Sequence, residues 1–378
     1  MPTNRTKRLA RRRVERGGLT PALREMLVTG HWWEFLPGAE AYSGKGPGEE
    51  ELARQWRRHR EELLVEYPEP WGMRVFEGPR RPAGVSAWAG WIRSEADEHA
   101  VRNGCWFDLH AAERIVYFFE RFLRHSEGQW EKQPFQLMDW QKYDVLMPLF
   151  GWKRADGTRR FRRAFIEIAK KNGKSGMCSG VSLYLLAADG EASAEVYSAA
   201  ADRDQATIVY KAAANMVKAS ETLSRRMRVV DSRKTIEYGS SIYKALSADV
   251  PTKEGLKIHG LIFDELHIQR NPKFFDTLRY GGAARRQPLQ IVITTAGEDR
   301  DSVCYEEYEY AKKILDGTIQ NDAYFAYIRE ASAEDPWDDP ETWRKANPSL
   351  GVTISEREMA EACEEARRKP RLVNQFKR

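Results

Sequence analysis

Cysteine is scarce in this sequence: four in 378 residues, at positions 105, 178, 304 and 363, with no CxxC pair. Such isolated cysteines argue against a disulfide scaffold and a zinc knuckle, and they fit a reducing compartment. Long hydrophobic runs are missing too. Mean hydropathy is −0.66, and no stretch of ~18 apolar residues could form a membrane-spanning helix. The first residues lack the apolar centre of a secretory signal. Internal repeats and low-complexity tracts are absent. Positive charge is also not spread over the body. The formal net charge is +5, but Arg5, Lys7, Arg8, Arg11, Arg12, Arg13 and Arg16, set against Glu15, give residues 1–16 an excess of six. The other 362 residues therefore sum to −1. A body of that charge is no general polyanion binder, so any grip on nucleic acid must be local. The basic tail reads either as a salt-sensitive phosphate contact or as a solvated terminus.

What remains is ordinary globular composition, 42% hydrophobic and 31% charged, in a chain long enough for two to three structural units. Ten of the twelve tryptophans precede residue 153, so the first third differs from the rest. The organisation reads as a basic tail and arm (1–47), a helical accessory region (48–130), an α/β core (131–320) and a lid or linker (321–378). Helices are expected at 21–27, 49–66, 108–124 and 137–150, the third capped by Asp108. From residue 160 strands and helices alternate. Strands are expected at 163–168, 195–200, 227–231, 235–238, 242–246, 259–263, 289–294 and 324–328, with helices at 174–188, 202–219 and 301–315. Apolar strands alternating with helices predict an α/β fold with a mainly parallel sheet covered on both faces, where ligands bind at the carboxyl ends of the strands.

Four motifs fall at such ends. Asn172-Gly173-Lys174-Ser175 lies between a strand and a helix. A tight loop there aims backbone N–H groups at an anion, the lysine reaches β- and γ-phosphates, and the serine hydroxyl suits Mg²⁺. The usual phosphate-loop spelling wants glycine where Ile168 stands. Asp264 and Glu265 end an apolar strand, where acids are costly unless used; Asp264 would hold Mg²⁺ and Glu265 would polarise the attacking water. His267 reads as a packing or hydrogen-bonding residue. Thr294-Thr295-Ala296-Gly297 ends the next strand, and its hydroxyls could sense the γ-phosphate. Upstream, Pro134–Gln141 offers a glutamine amide for an adenine edge, Gln141, and an aromatic ring to pack on it, Trp140 or Phe135. The order of the four is the strong signal.

The sequence resembles the large terminase subunit of tailed bacteriophages, a DNA-packaging motor, from about residue 108 to the C-terminus. PFQLMDWQ, KKNGKS, AADRDQA, SADVPTKEGL, LIFDELH, ITTAG and WRKANPSLG carry the resemblance. It implies an additional-strand P-loop ATPase that uses ATP and Mg²⁺. It further implies a homo-oligomeric, typically pentameric, ring at the portal of a procapsid in the host cytoplasm. Double-stranded DNA, the portal protein, a small terminase subunit and a nuclease domain of a longer parent protein are the implied partners. Lys170, Lys171, Asn172, Gly173, Lys174 and Ser175 would line the nucleotide, and Thr294 and Thr295 would couple phosphate state to movement.

Two departures stand out. Lys170 occupies the position, four residues before the loop lysine, where such ATPases often carry arginine. Lysine lacks arginine's planar fork, and Lys253, Lys257 and Arg285 are the candidates for a finger acting across subunits. The chain also ends at Arg378, so a nuclease domain is expected to be absent. The acidic residues Glu334, Asp335, Asp338 and Asp339 read as a solvated loop. Competing readings are a helicase-like or restriction-type DNA-dependent ATPase, and a docking module that binds nucleotide without turnover.

Overall fold

Strands that are apolar along their whole length bury both faces, and here they form one eight-stranded sheet in the order β10-β3-β9-β8-β4-β7-β6-β5. The strands are β3 (Arg163–Glu167), β4 (Glu195–Ala200), β5 (Arg228–Val230), β6 (Thr235–Tyr238), β7 (Ser241–Ser247), β8 (Ile258–Asp264), β9 (Leu289–Thr294) and β10 (Tyr324–Ile328). The run from β10 to β7 is parallel, and β7-β6-β5 is an antiparallel meander at one edge. Two short strands, β1 (Trp106–Phe107) and β2 (Trp152–Lys153), pair separately. The computed structural model describes residues 88–378 apart from 202, 248–254, 270–271, 298 and 378. The basic tail, the expected helices at 21–27 and 49–66, and Lys253 lie outside the described residues.

Residues Gly90–Arg378 form one unit. Its helices include α1 (Glu95–Arg102), α2 (Leu109–Phe122), α3 (Lys174–Ala187), α4 (Arg203–Ala219), α5 (Pro272–Arg279), α6 (Val303–Leu315), α7 (Pro340–Ala346), α8 (Glu356–Arg368) and α9 (Val373–Lys377). Asp108 caps α2 by accepting a bond from the Ala111 N–H at 3.0 Å. Ile115, Phe118 and Phe119 on this helix are fully buried, each worth about 1.5–3 kcal/mol of transfer energy. α3 is apolar nearly all round because it lies between the sheet and α2, and Gly180 is where the two helices touch. A Cβ at Gly180 would overlap the Phe119 ring and Leu123.

The expected helix at 137–150 differs in kind. Trp140–Leu146 is a π-helix that passes into a short α-helix over Met147–Gly151. Wide turns of this sort are rare and cluster at functional sites; this one carries Trp140 and Gln141 to the phosphate-loop side of the sheet. The helices α1, α5, α7, α8 and α9 were not foreseen.

At the opposite, amino-terminal edge of the sheet a buried ion network replaces apolar packing. Arg159 is 1% exposed and grips Asp189 with two guanidinium nitrogens at 2.9 and 3.1 Å. His259 Nε2 lies 2.9 Å from the same carboxylate. Burial opposes ionisation of Asp189, but Arg159 and His259 hold its carboxyl well below the usual range.

Candidate nucleotide site

The parallel strands β3, β8 and β9 deliver three of the expected motifs to one edge. β9 lies between β3 and β8, so the loop after β3 and the acids after β8 flank the threonines after β9.

The loop from Ile168 to Lys174 turns sharply. Lys171 (φ 63°) and Gly173 (φ 80°) both adopt the left-handed conformation, which costs a non-glycine residue about 1–2 kcal/mol. Gly173 also allows close approach: a Cβ there would come within 3.2 Å of Gln141 Nε2 and Met138. The loop then opens directly into α3, whose first turn presents free N–H groups. Lys174 is 7% exposed, and its Nζ donates to the carbonyls of Ile168 at 2.9 Å and Ala169 at 3.2 Å. Burial lowers the Lys174 pKa, while Glu265 and Asp264 pull it back up. Ser175 follows at the helix start, beside a cavity of about 290 Å³ that also touches His125, Phe135 and Lys211. His125 stacks on Phe135 there, with ring centroids 4.4 Å apart. Ile168, which stands where a glycine is usual, is 1% exposed, so its side chain belongs to the core.

Asp264 is the last residue of β8 and is 3% exposed. Its Oδ1 is buried without a hydrogen-bond partner. Burial, reinforced by Glu265, pushes its pKa up to about 7. An orphaned buried acceptor is unusual, and it fits a divalent cation. Glu265 turns out of the strand in a left-handed conformation (φ 53°). Its Oε2 lies 3.0 Å from His267 Nδ1 and accepts from Thr295 Oγ1 at 3.4 Å. Burial would raise the Glu265 pKa, but the His267 bond and the Lys174 charge hold it below the ordinary value. The two neighbouring acids are thus pushed apart, Asp264 up and Glu265 down. Thr294 and Thr295 are buried. Thr294 Oγ1 sits 3.1 Å from His267 Nδ1, and the Thr294 carbonyl accepts from the Ile168 N–H at 3.2 Å.

Other expected residues land differently. Gln141 is 1% exposed; its Oε1 accepts from the Met138 N–H, and its Nε2 is buried without a partner beside Gly173. Trp140 presents no open face. It is 5% exposed, stacks on Tyr327 and donates its indole N–H to Ser349 Oγ at 2.9 Å. Asn172 is fully buried, with its side chain turned to the loop's own carbonyls and to residues 347–349. Lys170 and Lys171 are exposed at the mouth of an 820 Å³ cavity walled by α7, α8 and α9. Lys257 and Arg285 lie at the opposite edge of the sheet, because Lys257 immediately precedes β8 while Asp264 ends it. Arg285 is corrected as a free finger: its guanidinium is taken up by Glu191 and by the carbonyls of Lys257, Ala192 and Ser193. Among the residues sequence reasoning missed is Glu167, which ends β3 at 6% exposure and is pushed to about 7 by burial and Glu330. The signal was available, since it is an acid ending an apolar strand, as Asp264 is.

A glycine-bearing loop between a strand and a helix, an acid pair two strands away and an intervening strand β9 define the class: an α/β P-loop ATPase fold. Residues 139–313 match the family model for the terminase large subunit, ATPase domain. Residues 318–378 match that for the terminase large subunit, endonuclease domain. The large terminase subunit of Enterobacteria phage HK97 is 32% identical over 270 residues, which is 70% of this chain and 51% of that protein. Protein YmfN of Escherichia coli (strain K12) is 34% identical over 124 residues, 33% of this chain and 27% of that protein. The crystal structure of the HK97 bacteriophage large terminase aligns with a TM-score of 0.61 at 30% identity, covering 70% of this chain and 53% of that one. By these matches both regions are similar to large subunits of phage terminases. It spans about half the length of the HK97 protein.

The second family match overturns the expectation that the nuclease domain is absent. Its region begins at 318 and is built onto the ATPase sheet: β10 pairs in parallel with β3 along five residues. A segment that adds a strand to the core sheet has the sequence pattern of that core, which hid the boundary. The acids of the 334–339 loop each have a protein partner. Asp335 pairs with Lys345, Asp338 with Arg367, Glu334 accepts from Ser332 Oγ, and Asp339 caps α7.

Proposed function

We propose that this chain hydrolyses ATP and uses the energy to move double-stranded DNA into a procapsid. The observation that carries the reading is the pair Asp264 and Glu265 at the end of β8, one acid with an orphaned buried oxygen and the other held ionised by His267.

Lys174 and the loop N–H groups bind the triphosphate; as the phosphates arrive, Lys174 exchanges the carbonyls of Ile168 and Ala169 for phosphate oxygens. The nucleoside end extends past Ser175 into the cavity beside Phe135 and Lys211, with Gln141 as the polar reader on the loop side. Asp264 and Ser175 would hold Mg²⁺, which when bound neutralises charge on the phosphates. Glu265 orients the attacking water and takes its proton. Thr294 and Thr295, bonded to His267 and Glu265, pass the phosphate state into β9. Lys170, at the loop's cavity face, is the loop cation closest to arginine in role, and a cation from a neighbouring subunit in a ring completes the charge balance.

A role in packaging also implies the portal protein and the small terminase subunit as partners, with assembly at the portal in the host cytoplasm. Among the described residues no helix is long and apolar enough to cross a membrane.

Steady-state phosphate release by the full chain, with and without duplex DNA, tests this. DNA-stimulated turnover supports the motor, and strand separation in the same assay supports a helicase-like ATPase instead. Nucleotide binding without turnover, both alone and on procapsids, leaves a docking module.

A further inference from the structure

The phosphate loop is held both by its own side chains and from outside. Lys171 and Gly173 are in left-handed conformations, and Lys174 braces the loop from within through the carbonyls of Ile168 and Ala169. A lysine that turns to a phosphate must release both carbonyls. Something else has to keep the loop open at that moment.

Asn172 shares that support with a segment some 175 residues further along. Asn172 Nδ2 donates to the carbonyls of Ala169 and Lys170 at 3.1 and 3.2 Å and to Asn347 Oδ1 at 3.0 Å. Its Oδ1 accepts from the Ser349 N–H at 3.0 Å. Ser349 Oγ donates to the Asn172 carbonyl at 3.2 Å and accepts the Trp140 indole N–H at 2.9 Å. Asn347 is itself fixed, its Nδ2 bonded to the Trp343 carbonyl of α7 at 3.0 Å. Thr353 Oγ1 donates to the carbonyl of Lys171, the strained residue, at 2.7 Å. Asn172 and Ser349 are fully buried and Asn347 is 9% exposed, so water does not compete for the bonds among these three, whereas the Thr353 bond is exposed.

We propose that Asn347 and Ser349 are positioning residues of the nucleotide site: acting through Asn172, they hold the phosphate loop in its anion-binding shape while Lys174 changes partners. Because Ser349 also ties down Trp140, the neighbour of Gln141, one serine sets the loop and the glutamine in a common frame. The same bonds tie nucleotide occupancy to the region that begins at residue 318, since any strain in the loop on binding is felt at 347–353. This inference rests on the ATPase reading.

The test uses the full chain and Asn347→Ala, Ser349→Ala and Ser349→Thr. Binding of a non-hydrolysable ATP analogue, KM and kcat for ATP, and the melting temperature are measured for each. The two alanine variants are expected to raise Kd and KM about tenfold, the scale of one or two hydrogen bonds, with kcat within about twofold of wild type. Ser349→Thr, which keeps the hydroxyl, is expected to restore wild-type KM. Folded alanine variants with wild-type Kd and KM overturn the proposal and leave the ATPase reading intact. Wild-type chain that binds no nucleotide overturns both. If the buried variants do not fold, Thr353→Val, at a partly exposed position, decides: a KM raised severalfold sustains the proposal and an unchanged KM overturns it.

Discussion

His267 Nδ1 stands 3.0 Å from Glu265 Oε2 and 3.1 Å from Thr294 Oγ1, so one ring nitrogen joins the acid after β8 to the hydroxyl that ends β9. Removing the histidine takes away a bond that favours ionised Glu265, whose pKa then rises. We predict that His267→Ala moves the acid limb of the kcat/KM profile to higher pH, read between about pH 5 and 9. An unmoved limb with the same loss of rate would mean that His267 only packs.

Glu265→Gln should preserve nucleotide binding and lower turnover about 10²–10⁴-fold, the range for losing a general base. Calorimetric titration with nucleotide and phosphate release, run on the same preparation, separate the two effects. Loss of binding in step with turnover would move Glu265 from water activation to nucleotide contact.

Asp264 leads to a metal prediction. Chelation of divalent cations with EDTA should stop turnover by the wild type. Asp264→Asn should reproduce a loss of about 10²–10³-fold with the cation present. Near wild-type rates in the asparagine variant would remove Asp264 from the cation site.

The buried Arg159–Asp189–His259 network predicts a stability change remote from the nucleotide. Asp189→Asn leaves the Arg159 charge buried and unpaired, at a cost of about 3–5 kcal/mol in urea unfolding. The folded carboxyl of Asp189 lies far below the ordinary 3.8. Its contribution is therefore complete above about pH 4 and is lost as pH falls through the folded value. The wild type should lose stability steeply in that acid window, and Asp189→Asn should show a shallower slope there.

Gly180 sits where α3 meets α2, with no room for a Cβ against Phe119 and Leu123. Gly180→Ala should destabilise by about 1–3 kcal/mol through overpacking, despite alanine's better helix propensity. Thermal melting checks it, and a neutral change would mean that α2 can shift.

Much of the core was legible because its signals are local. The strands at 195–200, 235–238, 289–294 and 324–328 coincide with β4, β6, β9 and β10, since unbroken apolar runs between turns leave little choice of state. The acid pair, the loop and the threonines were legible for the same reason: each ends a strand. What stayed hidden depends on distance along the chain. Asn172 read as a nucleotide contact, but its partners Asn347 and Ser349 are some 175 residues away. Trp140 read as a ring for a base, and it is spent on Tyr327 and Ser349. The π-helix over Trp140–Leu146 has the same apolar spacing as a regular helix at this resolution of pattern. The phrase at 343–351 carries part of the resemblance, yet nothing in its composition shows that it grips the phosphate loop.

The pairing of β10 with β3 bears on how this molecule can be divided. In sequence the two matched regions meet between residues 313 and 318, an inviting place to cut. In space that seam does not exist: the second region's first strand completes the sheet that carries the phosphate loop. A polypeptide ending there would lay bare the hydrogen-bonding rim of β3 along Ala164, Phe165 and Ile166, an open apolar edge of the kind that recruits other chains into aggregates. The smallest portable unit that carries the phosphate loop therefore includes β10, and evolutionary exchange of the region after it should find its break points beyond Ile328.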